Sequence, residues 1–148
     1  MPGRFKYEQL VKYPHLSSVD ATVWGKFIEQ NPHRFDRMDY DVHVGEGISP
    51  DPEWEPPIMF MAMYLSQCRI DAIGYNGEQG TIIELKGRAM TDAVGQLLSY
   101  QALYKLTKDT TENLPLLLIC EDIPTDIQTV CRKHNIEVVI ISSNQPNA

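Results

Sequence analysis

The stretch Arg69-Ile70-Asp71-Ala72-Ile73-Gly74-Tyr75, followed by Gly80-Thr81-Ile82-Ile83-Glu84-Leu85-Lys86, decides how this sequence folds. Each half is short, rich in Ile, Thr and Tyr, and bounded by the turn residues Asn76, Gly77 and Gly80, which predicts two β-strands joined as a hairpin. Side chains alternate along a strand, so Glu84 and Lys86 share one face while Ile83 and Leu85 share the other. Ionised groups among apolar neighbours are costly unless they meet a partner or a metal. Charge inside these strands therefore marks a site. Where Asp71 points depends on the loop. A loop of two residues (Gly77-Glu78) or four (Asn76 to Gln79) sets Asp71 opposite Glu84 on the same face. An odd loop sets it opposite Leu85 unless a bulge intervenes. In the first geometry two carboxylates and an ammonium share one patch. Such a patch attracts a hard divalent cation such as Mg2+, and the lysine is placed to orient a water or to offset charge on a phosphate.

On the N-terminal side, residues 1–16 show no period. Ser17 then reads as the N-cap of a helix with Asp20 at its third position, and Val19, Val23, Trp24, Phe27 and Ile28 form its apolar stripe until Asn31-Pro32 ends it. Glu29 projects off that stripe, whereas Asp20 lies within its span. Tyr40-Asp41-Val42-His43-Val44 alternates as a strand, with Asp41 and His43 on one face that could look onto the site but is read as a polar face turned to water. Residues 48–57, with Pro50, Pro52, Pro56 and Pro57, read as an irregular surface loop. In it Trp54 is expected to cap the edge of the core. The apolar run Ile58-Met59-Phe60-Met61-Ala62-Met63-Tyr64-Leu65 fits a buried strand by length and a helix by composition, and is read as a strand, with its methionines in the core or an oligomer contact.

On the C-terminal side, residues 90–107 carry the clearest helical period, with Ala93, Val94, Leu97, Leu98, Gln101 and Tyr104 on the inner face and Gln96 and Tyr100 one turn apart at its border. Leu116-Leu117-Leu118-Ile119-Cys120 is a strand buried on both faces. A short helix from Pro124 to about His134 and a second buried strand over 136–141 follow, and the tail 142–148 is expected to fray. The late strand-helix-strand unit requires a parallel crossover. A mixed α/β sheet with helices on both faces follows.

The length of 148 residues suits one domain spanning 1–148 and is too short for two ordinary ones. A net charge of −7 argues against coating nucleic acid non-specifically but leaves room for a focused basic groove. Arg69 and Arg88 flank the acidic pair and, with Lys105 and Lys108, could line a phosphate-binding edge. Cys68, Cys120 and Cys131 are odd in number and have no CxxC spacing, so neither a disulfide framework nor a zinc site is signalled. No signal-peptide core or membrane-length apolar run is evident, which predicts a cytoplasmic protein with no membrane partner.

Asp71, then Glu84-x-Lys86 on the next strand, then a helix with Gln96-x-x-x-Tyr100, resembles the PD-(D/E)xK nuclease superfamily, and the QxxxY helix narrows the likeness to its RecB-like members. It covers residues 18 to about 141. The resemblance implies a restriction-endonuclease-like core (αβββαβ, here with a further α and β) around a central mixed sheet flanked by helices. It implies hydrolysis of DNA, less often RNA, through a water activated by Mg2+ or Mn2+. Asp71 and Glu84 would be metal ligands together with the Leu85 carbonyl, Lys86 would assist the attacking water, and Gln96 and Tyr100 would steady the site or touch DNA. A further carboxylate often sits on the first helix of such proteins, and either Asp20 or Glu29 could supply it. Ile70 stands where the superfamily signature has Pro. The chain is also similar to small phage and prophage proteins with a YDVxVGEG segment and a RID…ExK…GQLLxY core. The alternative from another class is a nuclease fold serving as a module that binds nucleic acid or a host protein without cutting. Monomer and homodimer are both open.

Overall fold

The computed structural model describes residues 2–49 and 51–141, and the side chains of Tyr64 and Leu65 are left aside. Pro50 and the tail 142–148, expected to fray, lie outside the described residues. The elements run β1 (Phe5–Lys6), α1 (Ser18–Gln30), β2 (Arg37–Val44), α2 (Pro56–Ser66), β3 (Cys68–Asn76), β4 (Gln79–Arg88), α3 (Thr91–Thr107), β5 (Leu116–Asp122), α4 (Thr125–Lys133) and β6 (Ile136–Ile140). The strands form one six-stranded sheet in the order β1-β2-β3-β4-β5-β6, antiparallel through β4 and parallel from β4 to β6. This is the expected α/β architecture, with β1 as an addition that two residues in an aperiodic segment could not signal. No helix among the described residues is long and apolar enough to cross a membrane.

Two apolar layers sandwich the sheet. On one side α1 buries Val23, Trp24, Phe27 and Ile28 against Tyr40, Ala72, Ile83, Leu85, Leu117 and Ile119. The Trp24 indole N–H donates to the Tyr40 hydroxyl at 2.8 Å, so both polar tips are satisfied in the dry interior. Ser17 caps α1 by accepting the Asp20 amide at 3.0 Å, as its spacing predicts. On the other side α3 and α4 cover Ile70, Ile73, Ile82, Leu116, Leu118 and Cys120. Gly74 is required where the two layers' edge is tightest, because a Cβ there would lie 2.6 Å from the Phe35 ring.

The run 58–65 is not a strand. Pro56 and Pro57 open α2 instead of breaking structure, because the first helical turn needs no intrahelical N–H bond and a proline φ already suits it. The Ile58 and Met59 amides both donate to the Glu55 carbonyl. Once the helix is started, Met and Ala outweigh the strand-like brevity of the run. Trp54 does not cap the core, and Met59, Met61 and Met63 do not enter it: all four lie outside both apolar clusters.

Candidate active site

The hairpin loop has two residues. Asn76 pairs with Gln79 across Gly77-Glu78, and the ladder continues to Ala72 opposite Ile83. The next step in that register is Asp71 opposite Glu84, the arrangement an even loop demands. Main-chain pairing stops there. The Leu85 N–H donates to the Asp71 carboxylate at 2.9 Å, while β4 goes on pairing with β5 as far as Arg88 opposite Asp122. The two strands thus part where the carboxylates meet.

The parting has a local cause. Asp41 lies across from Asp71 in β2, between the pairs Tyr40–Ala72 and Val42–Ile70, and has a left-handed φ of 54° that non-glycine residues rarely adopt. Met38 and Tyr40 face α1, whereas Val42 and Val44 face α3, so the strand changes sides at that residue. β3 does the same, with Ala72 on the α1 side and Ile70 on the α3 side. Such an inversion carries β3 away from β4 beyond Ala72.

Glu84 is 2% exposed, the one charged residue buried among the described residues. Burial raises its pKa well above the ordinary carboxylate range, and a hydrogen bond with Asp71 and the Asp71 charge push it further. These influences favour the protonated form of Glu84. Lys86 lies 3.8 Å from Glu84 and 3.3 Å from Asp92 in the first turn of α3. Burial pulls its ammonium pKa down, but Glu84 and Asp92 more than offset this, and Lys86 stays charged. Tyr100 is buried behind the pair, its pKa raised by burial and then by the charges of Glu84 and Asp71. Gln96 and Tyr100 line one opening with Cys68, Arg69, Asp92, Gly95 and Ser99. The buried Gln96 amide oxygen has no hydrogen-bond partner among the described residues.

The structure thus brings together Asp71, Glu84, Lys86 and Tyr100, with Gln96 beside them. Leu85 contributes main chain only, since its side chain packs against α1. Of the two first-helix carboxylates it is Asp20 that nears the pair: burial raises its pKa, and the Asp71 charge raises it again. Glu29 is exposed at the other end of α1. Asp92 escaped the sequence reading because an acid in a first helical turn is ordinary dipole chemistry.

Asp41 and His43 do not form a face turned to water: their side chains are 13% and 9% exposed. Asp41 accepts two hydrogen bonds from Arg69, at 2.7 and 2.9 Å, and has His15 at 3.3 Å and His43 at 3.5 Å. Burial alone would raise its pKa, but Arg69 and the two imidazoles lower it below the ordinary value. Asp41, Arg69 and Asp71 border a cavity of about 160 Å³ with Pro14, His15, Leu16 and Ile70. Arg69 thus stands by the site, whereas Arg88 is paired with Asp122 of β5 and Lys105 and Lys108 sit at the far end of α3. The four do not form one basic edge. Among the described residues no group of three or more His, Cys, Asp or Glu is arranged to hold a metal ion.

No family model matches the sequence, and no curated protein matches it. The fold does match that in the crystal structure of a repair endonuclease from Pyrococcus abyssi, with a TM-score of 0.53 at 16% sequence identity. The match covers 90% of this chain and 50% of that one, so this chain spans about half the length of that endonuclease and shares its fold over nearly all of its own.

Proposed function

We propose that the chain is a metal-dependent nuclease of the PD-(D/E)xK kind, hydrolysing phosphodiester bonds of DNA. The supporting observation is the meeting of Asp71 and Glu84 where β3 leaves β4, with the Lys86 ammonium 3.8 Å from Glu84. The donor set fits Mg2+ or Mn2+: two carboxylates and the Leu85 carbonyl are hard oxygens, few enough to leave room for water and phosphate oxygens. A carboxylate whose protonated form is favoured by burial and by its neighbour is also a group that a cation would relieve of its proton. Bound there, the cation would acidify water and offset the negative charge that gathers on phosphorus.

The remaining work falls to the chain. Lys86, kept charged by Glu84 and Asp92, places a cation beside the phosphate oxygens. Asp71 holds the Leu85 main chain and so keeps the two strands at their parting. Tyr100 walls the pair off from water, which strengthens each of these interactions. Digestion of plasmid, linear, single-stranded and branched DNA in Mn2+ tests the reading. Cleavage should vanish with EDTA and in Asp71→Ala, Glu84→Ala and Lys86→Ala, and undiminished digestion in EDTA would overturn it.

A nuclease fold that binds without cutting is the second reading. It draws on the ion pairs that already engage Lys86 on both sides. Thermal shift separates the two, because a working site should be stabilised by Mn2+ through mass action and the alanine variants should not.

A further inference from the structure

Between Val44 and Cys68 the chain leaves the sheet and returns to it, carrying α2. Residues 44–68 hold no Lys, Arg or His and four acids, Glu46, Asp51, Glu53 and Glu55. Those acids are exposed, and none forms an ion pair with a described residue. The helix that follows them is uncharged throughout, yet it packs substantially against no other helix or strand among the described residues. Ile58, Phe60 and Met61 are 57%, 70% and 58% exposed, with Ile48 and Trp54 exposed just before them. Single exposed apolar residues are ordinary, but five of them on one uncharged helix and the loop leading into it mark a contact surface.

The base of the excursion is latched. The Ile48 amide donates to the Ser66 hydroxyl at 2.7 Å, and the Gln67 side-chain amide donates to the Gly45 carbonyl at 2.6 Å. Gly47, at φ 77°, lets the incoming strand lie against the end of α2, since a Cβ there would come 2.3 Å from the Met63 carbonyl oxygen. The two glycines of the Gly45-Glu46-Gly47 motif thus close a loop and present the helix on a fixed stem. A presented helix loses less conformational freedom on docking.

We infer that α2 and its acidic collar form a docking surface for another protein whose apolar groove or helix is rimmed by Lys and Arg. Charge decides the occupant. A second copy packed on the same face would bring two collars together with no cation between them, and nucleic acid or an anionic membrane would meet four carboxylates. Apolar contact supplies affinity and the basic rim supplies orientation, with Trp54, Phe60 and Met61 of the types that anchor interfaces. This surface is separate from the hydrolytic site, so its test does not depend on hydrolysis.

The test uses the full chain and a fluorescent amphipathic helical peptide built of Leu and Lys, beside a Leu and Glu counterpart, read by anisotropy. The chain should bind the Leu/Lys peptide and not the Leu/Glu one. Phe60→Asp and Met61→Asp should each weaken that binding about tenfold although they add negative charge. Glu53→Lys with Glu55→Lys should weaken it through the collar. Because Phe60 and Met61 are exposed and lie outside both apolar clusters, melting temperatures should be unchanged, and loss of folding in one variant leaves the other two to decide. Unchanged or tighter binding in Phe60→Asp would show plain charge attraction and overturn the inference. So would equal binding of the two peptides, binding of neither, or a wild-type dimer in sedimentation that Phe60→Asp dissolves.

Discussion

Beyond the Ala72–Ile83 pair, the Leu85 amide turns to the carboxylate of Asp71, 2.9 Å away, and not to a main-chain carbonyl of β3. A side chain has replaced a rung of the ladder. Asp71 therefore has a structural duty that can be separated from its charge. Asp71→Asn keeps an oxygen for the Leu85 amide and should melt no lower than the native chain, whereas Asp71→Ala leaves a half-buried donor unpaired and should lose about 1–3 kcal/mol. Both should abolish cleavage. Equal melting of the two variants in urea would refute the duty assigned to this contact.

Glu84 gives the metal-free protein a pH dependence of definite sign. Its folded pKa is raised, so the folded chain keeps a proton that the unfolded chain releases near the ordinary value of about 4.3. The stability tied to that proton is whole below the unfolded pKa and is lost as pH rises toward the folded one. Glu84→Gln, which imitates the protonated acid, should flatten this loss and be the more stable protein in mildly alkaline buffer by at least about 1.4 kcal/mol, the worth of one pKa unit. Parallel pH profiles of stability for the two proteins would contradict it.

Cation binding should show the opposite trend with pH. A cation at Asp71 and Glu84 must displace the proton that Glu84 holds, so affinity for Mn2+ should rise as pH rises, with proton release seen as a dependence of the calorimetric heat on buffer ionisation. Glu84→Gln should remove both effects. Affinity independent of pH would place the cation elsewhere.

Asp92 is expected to act through Lys86, from which it lies 3.3 Å away. Asp92→Asn should lower hydrolysis by about tenfold, against about a hundredfold or more for Lys86→Ala. It should also draw the alkaline limb of the pH–rate profile to lower pH, because one of the anions that raise the Lys86 pKa is gone. A merely structural acid would leave the limb in place.

Gly74→Ala probes the fold apart from the chemistry. Its new methyl would meet the Phe35 ring at 2.6 Å, and the ring or the strand must give way at a cost of about 1–3 kcal/mol. Chemical denaturation measures it directly, and a neutral result would mean that Phe35 moves freely.

Local chemistry written in the chain was enough for most elements. Turn residues around Gly77-Glu78 and the Ser17 cap placed a hairpin and a helix start, and the apolar runs at 116–120 and 136–141 placed strands, because each depends on residues adjacent in sequence. Strand parity then put Glu84 and Lys86 on one face whatever lay around them. Other features needed the assembled molecule. That the loop has two residues, and so aligns Asp71 with Glu84, was one of several options that the turn residues permitted equally. The left-handed Asp41, which turns two strands over and opens the ladder at Asp71, is held by Arg69 and His15 from distant positions as well as by its neighbour His43. Whether Asp20 or Glu29 approaches the pair depends on how α1 lies on the sheet, a matter of packing that helical period alone leaves free. The helical state of 58–65 likewise arose from Pro56 and Pro57 starting a turn. Sequence determined the periods and faces, which are short-range; tertiary structure decided which faces met, since that depends on groups brought together only when the chain has closed on itself.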